Sequence, residues 1–190
     1  MKRLWIYFIY LFIAWGSFRY FVKLPDVIEE LWFKPVIWLI PLFWWNLSLK
    51  KRVEMFKGQW IHTLAYGLSL AVFYWFAFSQ FKNLRVDWNL WGVAVATAVV
   101  EELVFSGFVT GYLERFQKRS FWNVFLSGAA AGVMRLPIAT FVFHLSPLAT
   151  LGVVMLAFAT TMMHSWVRQQ TGNVAGSMIA RIGMNLSILS

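Results

Sequence analysis

Apolar runs of about 20 residues recur from one end of this chain to the other, each long enough to cross a hydrocarbon core of about 30 Å. A segment in lipid must satisfy its own backbone hydrogen bonds, so every such run is expected to be an α-helix. Seven spans follow, at 4–24, 31–49, 60–81, 88–116, 121–143, 147–169 and 173–190. Only 13% of the 190 residues are charged, whereas a soluble domain carries about a quarter. The expected fold is therefore an all-α polytopic membrane protein. Pro41 and Pro137 are predicted to kink the second and fifth spans. Trp44, Trp45, Trp60, Trp88, Trp91 and Trp122 lie near span ends, where an interfacial belt belongs.

The net charge of +9 does not imply a nucleic-acid partner, because the basic residues sit in short connections between apolar runs. Alternate connections hold Lys2 and Arg3; Lys50, Lys51, Arg52 and Lys57; Arg115, Lys118 and Arg119; and Arg168. The other connections hold Arg19, Lys23, Lys34, Lys82 and Arg85, offset by Asp26, Glu29, Glu30 and Asp87. The positive-inside rule then places the N-terminus in the cytoplasm and the C-terminus outside. Bulky aromatics continue to Phe21 with no small-residue cleavage site, so the first run reads as an anchor rather than a signal peptide. With no cysteine in the chain, disulfides, thiolate metal sites and a Cys nucleophile are excluded.

Four ionisable residues fall inside apolar runs: Glu101 and Glu102 in the fourth, Arg135 in the fifth and Arg181 in the seventh. Each costs about 2.5–3.5 kcal/mol at bilayer depth, so they mark a functional site. Glu101 lies about 20 Å into its span, and the two arginines reach a similar middle depth, so one site can hold them. Ser106 follows Glu102 by four residues and Asn185 follows Arg181 by four, each pair sharing a helix face. Gly107 with Gly111, Gly128 with Gly132, and Gly172 with Gly176 lie in or beside the charged spans and allow close helix approach. His62, His144 and His164 are expected at interfaces or in packing, with His144 and His164 on opposite sides and too far apart to share an ion. No metal or cofactor is expected.

These residues resemble the motifs of the CPBP intramembrane proteases, which include the type II CAAX prenyl endopeptidases. Val100-Glu101-Glu102-Leu103-Val104-Phe105-Ser106-Gly107 resembles the family's Glu-Glu-x-x-x-Arg motif. Ala131-Gly132-Val133-Met134-Arg135-Leu136-Pro137 occupies the frame of Phe-Gly-x-x-His-Leu-Pro. Thr171-Gly172 leads to Arg181 and Asn185, where the family has Thr-Gly and later His-x-x-x-Asn. The resemblance implies a four-helix core over 88–190, preceded by three aromatic-rich helices over 1–87. It also implies that Glu101, Glu102 and Asn185 are the catalytic positions. The family arginine is replaced by Ser106, and both family histidines by Arg135 and Arg181.

A histidine exchanges protons near neutral pH, whereas arginine stays charged. A carboxylate paired with arginine is a poor proton acceptor, although arginine can still stabilise an oxyanion. The expected outcome is an interhelical clamp of one glutamate with Arg135 and Arg181. The function expected from it is a catalytically degenerate plasma-membrane homologue that binds or regulates a membrane protein or peptide in the lipid bilayer. The alternatives are an active glutamate-dependent endopeptidase and, more remotely, a transporter with midplane charges.

Overall fold

In a computed structural model, residues 2–22, 24–79 and 90–189 are described. They form α1 (Lys2–Phe21), α2 (26–47, π-helical at Glu29–Phe33), α3 (Trp60–Ser79) and α4 (Trp91–Leu113, π-helical at Leu103–Val109), then α5 (Phe121–Val142), α6 (Pro147–Thr171) and α7 (Ala175–Leu189). Among the described residues the only β pairing is a single bridge between Phe56 and Asn173. Trp88, Lys23, Lys82, Arg85, Asp87 and the expected span ends at Phe81 and Ser190 lie outside the described residues.

The all-α polytopic fold is as expected. Five helices, α1, α3, α4, α5 and α6, are long and apolar enough to cross a membrane. The remaining two differ from the expected spans for physical reasons. α2 begins at Asp26 rather than residue 31, which draws Glu29 and Glu30 into the helix. α7 has 15 residues, a length of about 22 Å against a core of about 30 Å.

α3 packs along α7, α5 along α6, and α4 against α7, while α1 and α2 lean on α4 and the end of α5. One core joins Leu4, Tyr7, Leu11 and Trp15 of α1 to Trp38, Leu42, Val104 and Phe108, and a smaller one joins Tyr74 to Ala180 and Met184. The outer surface carries large apolar side chains such as Trp32, Trp44, Ile61 and Leu148, which suits lipid and would be an aggregation hazard in water. Trp60, Trp91 and Trp122 are exposed at helix ends as expected, while Trp45 packs on Tyr7 with ring centroids 6.4 Å apart.

Local sequence explains the helix limits. Ser120 and Ser146 cap α5 and α6, accepting from the backbone N–H of Trp122 and Ala149. Gly172 closes α6 in the left-handed conformation, φ 72°, its N–H donating to the Arg168 carbonyl at 2.8 Å. That glycine is a cap, whereas the expectation was a packing residue. Pro41 lies inside an unbroken helical stretch. Pro137 has no N–H for the Val133 carbonyl, and α5 breaks into turn at Met134 and Arg135 before resuming. The break sets Arg135 at a corner of the helix.

α3 and α7 meet backbone to backbone at Gly67 and Gly176. A Cβ on Gly67 would lie 2.7 Å from the Gly176 carbonyl oxygen and 2.9 Å from its Cα. Gly67→Val is expected to destabilise the protein by about 1–3 kcal/mol through overpacking. Gly92, whose Cβ would meet nothing within 4 Å, should gain up to about 1 kcal/mol as Ala. Thermal unfolding in detergent, followed by tryptophan fluorescence, checks both; a matched loss for the two variants would show that the helix contact is not the cause.

Candidate functional site

Adjacent residues on a helix point about 100° apart, so Glu101 and Glu102 face different neighbours. Glu101 accepts from three cations on three helices. Lys34 Nζ of α2 lies 2.8 Å from Oε1, Arg135 Nη2 of α5 lies 2.5 Å from Oε2, and Arg181 Nη2 of α7 donates to the same Oε2. Glu102 faces α6 and its own next turn. His164 Nδ1 lies 2.7 Å from Oε1, and Ser106 Oγ donates to Oε2 at 2.5 Å. Arg181 bridges the two, with Nε 3.9 Å from Glu102 Oε1 and Nη1 donating to Thr160 Oγ1 at 3.2 Å. Glu101, Glu102, His164 and Arg181 are all at most 1% exposed.

The network continues into the first half of the chain. Lys34 also donates to Glu30 Oε2 at 2.6 Å, and Glu30 Oε1 accepts from Arg19 Nη2 at 3.0 Å. Arg19 pairs with Glu29 as well, and Thr97 Oγ1 donates to Glu30 at 2.9 Å. Four carboxylates, Glu29, Glu30, Glu101 and Glu102, thus meet four cations, Arg19, Lys34, Arg135 and Arg181. Trp15 and Trp38 cross edge to face, Trp38 meets Phe105 likewise, and the Arg19 and Lys34 head groups lie over Trp15 and Trp38. This aromatic wall keeps the pairs dry, where their attraction is strongest.

Every sequence-predicted residue but one enters this cluster. Glu101 binds Arg135 and Arg181 together, and Ser106 binds Glu102. Asn185 stands apart: its Nδ2 donates to the Ala94 carbonyl at 3.0 Å, about 10 Å along α4 from Glu101 by helical rise. It does share a cavity of about 260 Å³ with Arg135, Arg181 and Thr160. Arg135, with its side chain 27% exposed, is the most accessible charge of the site.

Four participants come from outside the expected site. Arg19, Glu29, Glu30 and Lys34, expected among the charges of the connections, are each at most 8% exposed. Two signals pointed inward. Arg19 continues the buried stripe Leu4, Tyr7, Leu11, Trp15 of α1, and Glu30 and Lys34 stand four apart on one helix face.

His164 is a further correction. It was expected in the cytoplasmic interface or in ordinary packing, leaving no histidine at the site, but it is fully buried against Glu102. Depth counted from a span end assumes that all ends lie in one plane. The 50–59 loop instead folds over the end of α6, with Gln59 N–H donating to the Thr171 carbonyl and Val174 N–H to Met55. His62 and His144 are exposed.

Chemically, Glu101 is a carboxylate saturated by cations, and Glu102 a carboxylate held by a hydroxyl and an imidazole. The far ring nitrogen of His164, Nε2, is buried with no hydrogen-bond partner among the described residues. Among the described residues no three His, Cys, Asp or Glu side chains converge as a metal-ligand set.

Removing one partner of a buried pair strands the other charge, at about 3–5 kcal/mol. Lys34→Met and Arg181→Gln should each lower stability by about that much. Lys57→Met, which breaks the exposed Glu54 pair with side chains 77% and 62% accessible, should change stability by under about 1 kcal/mol. Thermal unfolding of the three variants ranks them; an Arg181→Gln protein as stable as wild type would rule out the clamp.

Residues 83–187 match the family model described as Rce1-like, type II CAAX prenyl endopeptidase Rce1-like. All three motif segments, from Val100 to Asn185, lie within that stretch. No curated protein and no solved structure matches the chain. The model covers more than half of the chain, and the protein therefore belongs to the Rce1-like type II CAAX prenyl endopeptidase family, as a multi-pass membrane member of it.

Proposed function

We propose that this protein is a catalytically degenerate member of its family that binds or regulates a membrane protein or peptide. The observation that carries this reading is the state of Glu101. Both of its oxygens are occupied, by an ammonium and two guanidinium groups from three helices. A general base needs a lone pair open to water and a protonation state that changes near working pH. Here the positions of the family histidines hold groups that stay charged. Asn185, the third catalytic position, spends its amide on a helix carbonyl.

Binding remains open to the site. The 260 Å³ cavity combines Arg135, Arg181 and Asn185 with apolar walls such as Leu156 and Ile188. An apolar pocket with a few convergent polar groups is the usual form of a binding site. In this reading residues 88–190 form the family core, and residues 1–87 form three aromatic helices that supply Lys34 to it. The protein sits in the plasma membrane with its N-terminus cytoplasmic and its C-terminus extracytoplasmic. The positive-inside bias supports that orientation more sharply once Arg19 and Lys34 are counted as buried.

A second reading, an active glutamate-dependent endopeptidase, draws on one contact: His164 lies 2.7 Å from Glu102 and places an imidazole beside a glutamate, which the motif positions lack.

The deciding experiment compares protein N-termini in native-host membranes expressing wild type or the Glu101→Gln, Glu102→Gln variant, at matched folded amounts. Identical profiles, with a partner copurifying stoichiometrically with wild type, are expected. New termini found only with the wild type would establish a peptidase and reject the degenerate reading.

A further inference from the structure

Two grooves meet at the basic end of the bundle, away from the buried charges. One, of about 550 Å³, is lined by Lys51, Arg52, Arg115, Lys118, Arg119 and Arg168. Its two acids are already engaged: Glu114 pairs with the buried Arg168, and Glu54 with Lys57 at 2.9 Å. Arg115 lies over the Tyr112 ring at 5.4 Å. Lys51, Arg52, Lys118 and Arg119 have no carboxylate partner among the described residues.

The second groove, of about 660 Å³, opens on the outer surface between α3, α5 and α6, with Tyr66, Leu70, Met162 and Trp166 in its walls. Arg119 and Gln169 line both grooves, so the basic pocket runs directly into the apolar one. The junction is held in shape. Gln169 Nε2 donates to the Ser120 carbonyl at 3.2 Å, Asn123 Nδ2 to the Gln117 carbonyl at 2.6 Å, and Arg168 Nη2 to the Glu54 carbonyl at 3.4 Å.

A cluster of uncompensated cations opening into an apolar channel at the edge of a membrane bundle matches one chemistry, an anionic head carrying a hydrocarbon chain. We propose that this junction binds an anionic phospholipid, its phosphate held by Lys51, Lys118 and Arg119 and one acyl chain laid beside Trp166. A zwitterionic lipid brings an ammonium that the cations repel. A soluble phosphate leaves the groove empty.

Native mass spectrometry of the full chain, released from nanodiscs of equimolar phosphatidylglycerol and phosphatidylcholine, tests this. Wild type should retain phosphatidylglycerol preferentially. The Lys51→Gln, Lys118→Gln, Arg119→Gln variant should lose that preference by about a hundredfold, from three contacts worth about fivefold each. Leu70→Trp, which fills the groove without changing charge, should lower it as well. The Lys2→Gln, Arg3→Gln, Lys50→Gln variant removes equal charge at the same end but outside the junction, and should retain it. Tryptophan-fluorescence melts confirm that each variant is folded. No preference in wild type, equal losses in the two triple variants, or displacement by inorganic phosphate as readily as by the lipid would each overturn the proposal.

Discussion

The carboxylate of Glu101 is the point on which the bundle depends. An isolated charge at that depth would be driven out of the membrane or neutralised. Glu101 stays because Lys34, Arg135 and Arg181 converge on it from three other helices. Its neighbours then extend the constraint, since Lys34 leads through Glu30 to Arg19 on α1, and Arg181 leads through Thr160 to α6. α1, α2, α4, α5, α6 and α7 are tied into one network of balanced charge. α2 and α7, the two helices not apolar or long enough to span by themselves, each send a cation to Glu101. Their place in the bundle is set by electrostatics as much as by hydropathy.

The fold class was legible because apolar runs of membrane length admit little but helix. The centre of the site was legible too, since Glu101, Glu102, Arg135 and Arg181 interrupt otherwise apolar runs. Their three-helix convergence follows from the cost of leaving any one of them unpaired. What stayed hidden lay at span boundaries. Glu29 and Glu30 sit where a helix start and a loop look alike in composition, and the observed start at Asp26 brings them into the helix, where Glu30 meets Lys34 one turn on. His164 was hidden for a different reason: the loop that folds over α6 places the helix end below the surface of the bundle. Hydropathy records neither a loop that dips inward nor a helix that begins early.

The side chains at the motif positions complement one another. The resemblance gives Glu102 a partner arginine one turn along its own helix. Here that position is Ser106, which reaches only one carboxylate oxygen, at 2.5 Å. The other oxygen is met by His164 from α6, so Glu102 is held both within its own helix and between two helices. Arginine at 181 reaches Glu101 with one nitrogen and Thr160 with another. A histidine's two ring nitrogens point away from each other, whereas guanidinium N–H groups fan out side by side, so histidine cannot make the same fork. At 135 and 181 the guanidinium groups hold helices together through Glu101.

α6 shows why clamp and lipid groove coexist on one short bundle. Thr160, His164 and Arg168 recur at intervals of four and face inward, the first two toward the buried charges and the third toward Glu114. Met162, Met163, Trp166 and Gln170 come up on other faces of the same turns and line the apolar groove. Over residues 160–170 the twist of 3.6 residues per turn keeps these two sets on different faces. Rotating α6 to improve one face would withdraw His164 from Glu102 and Arg168 from Glu114, so the inward pairs fix the orientation in which the groove is presented.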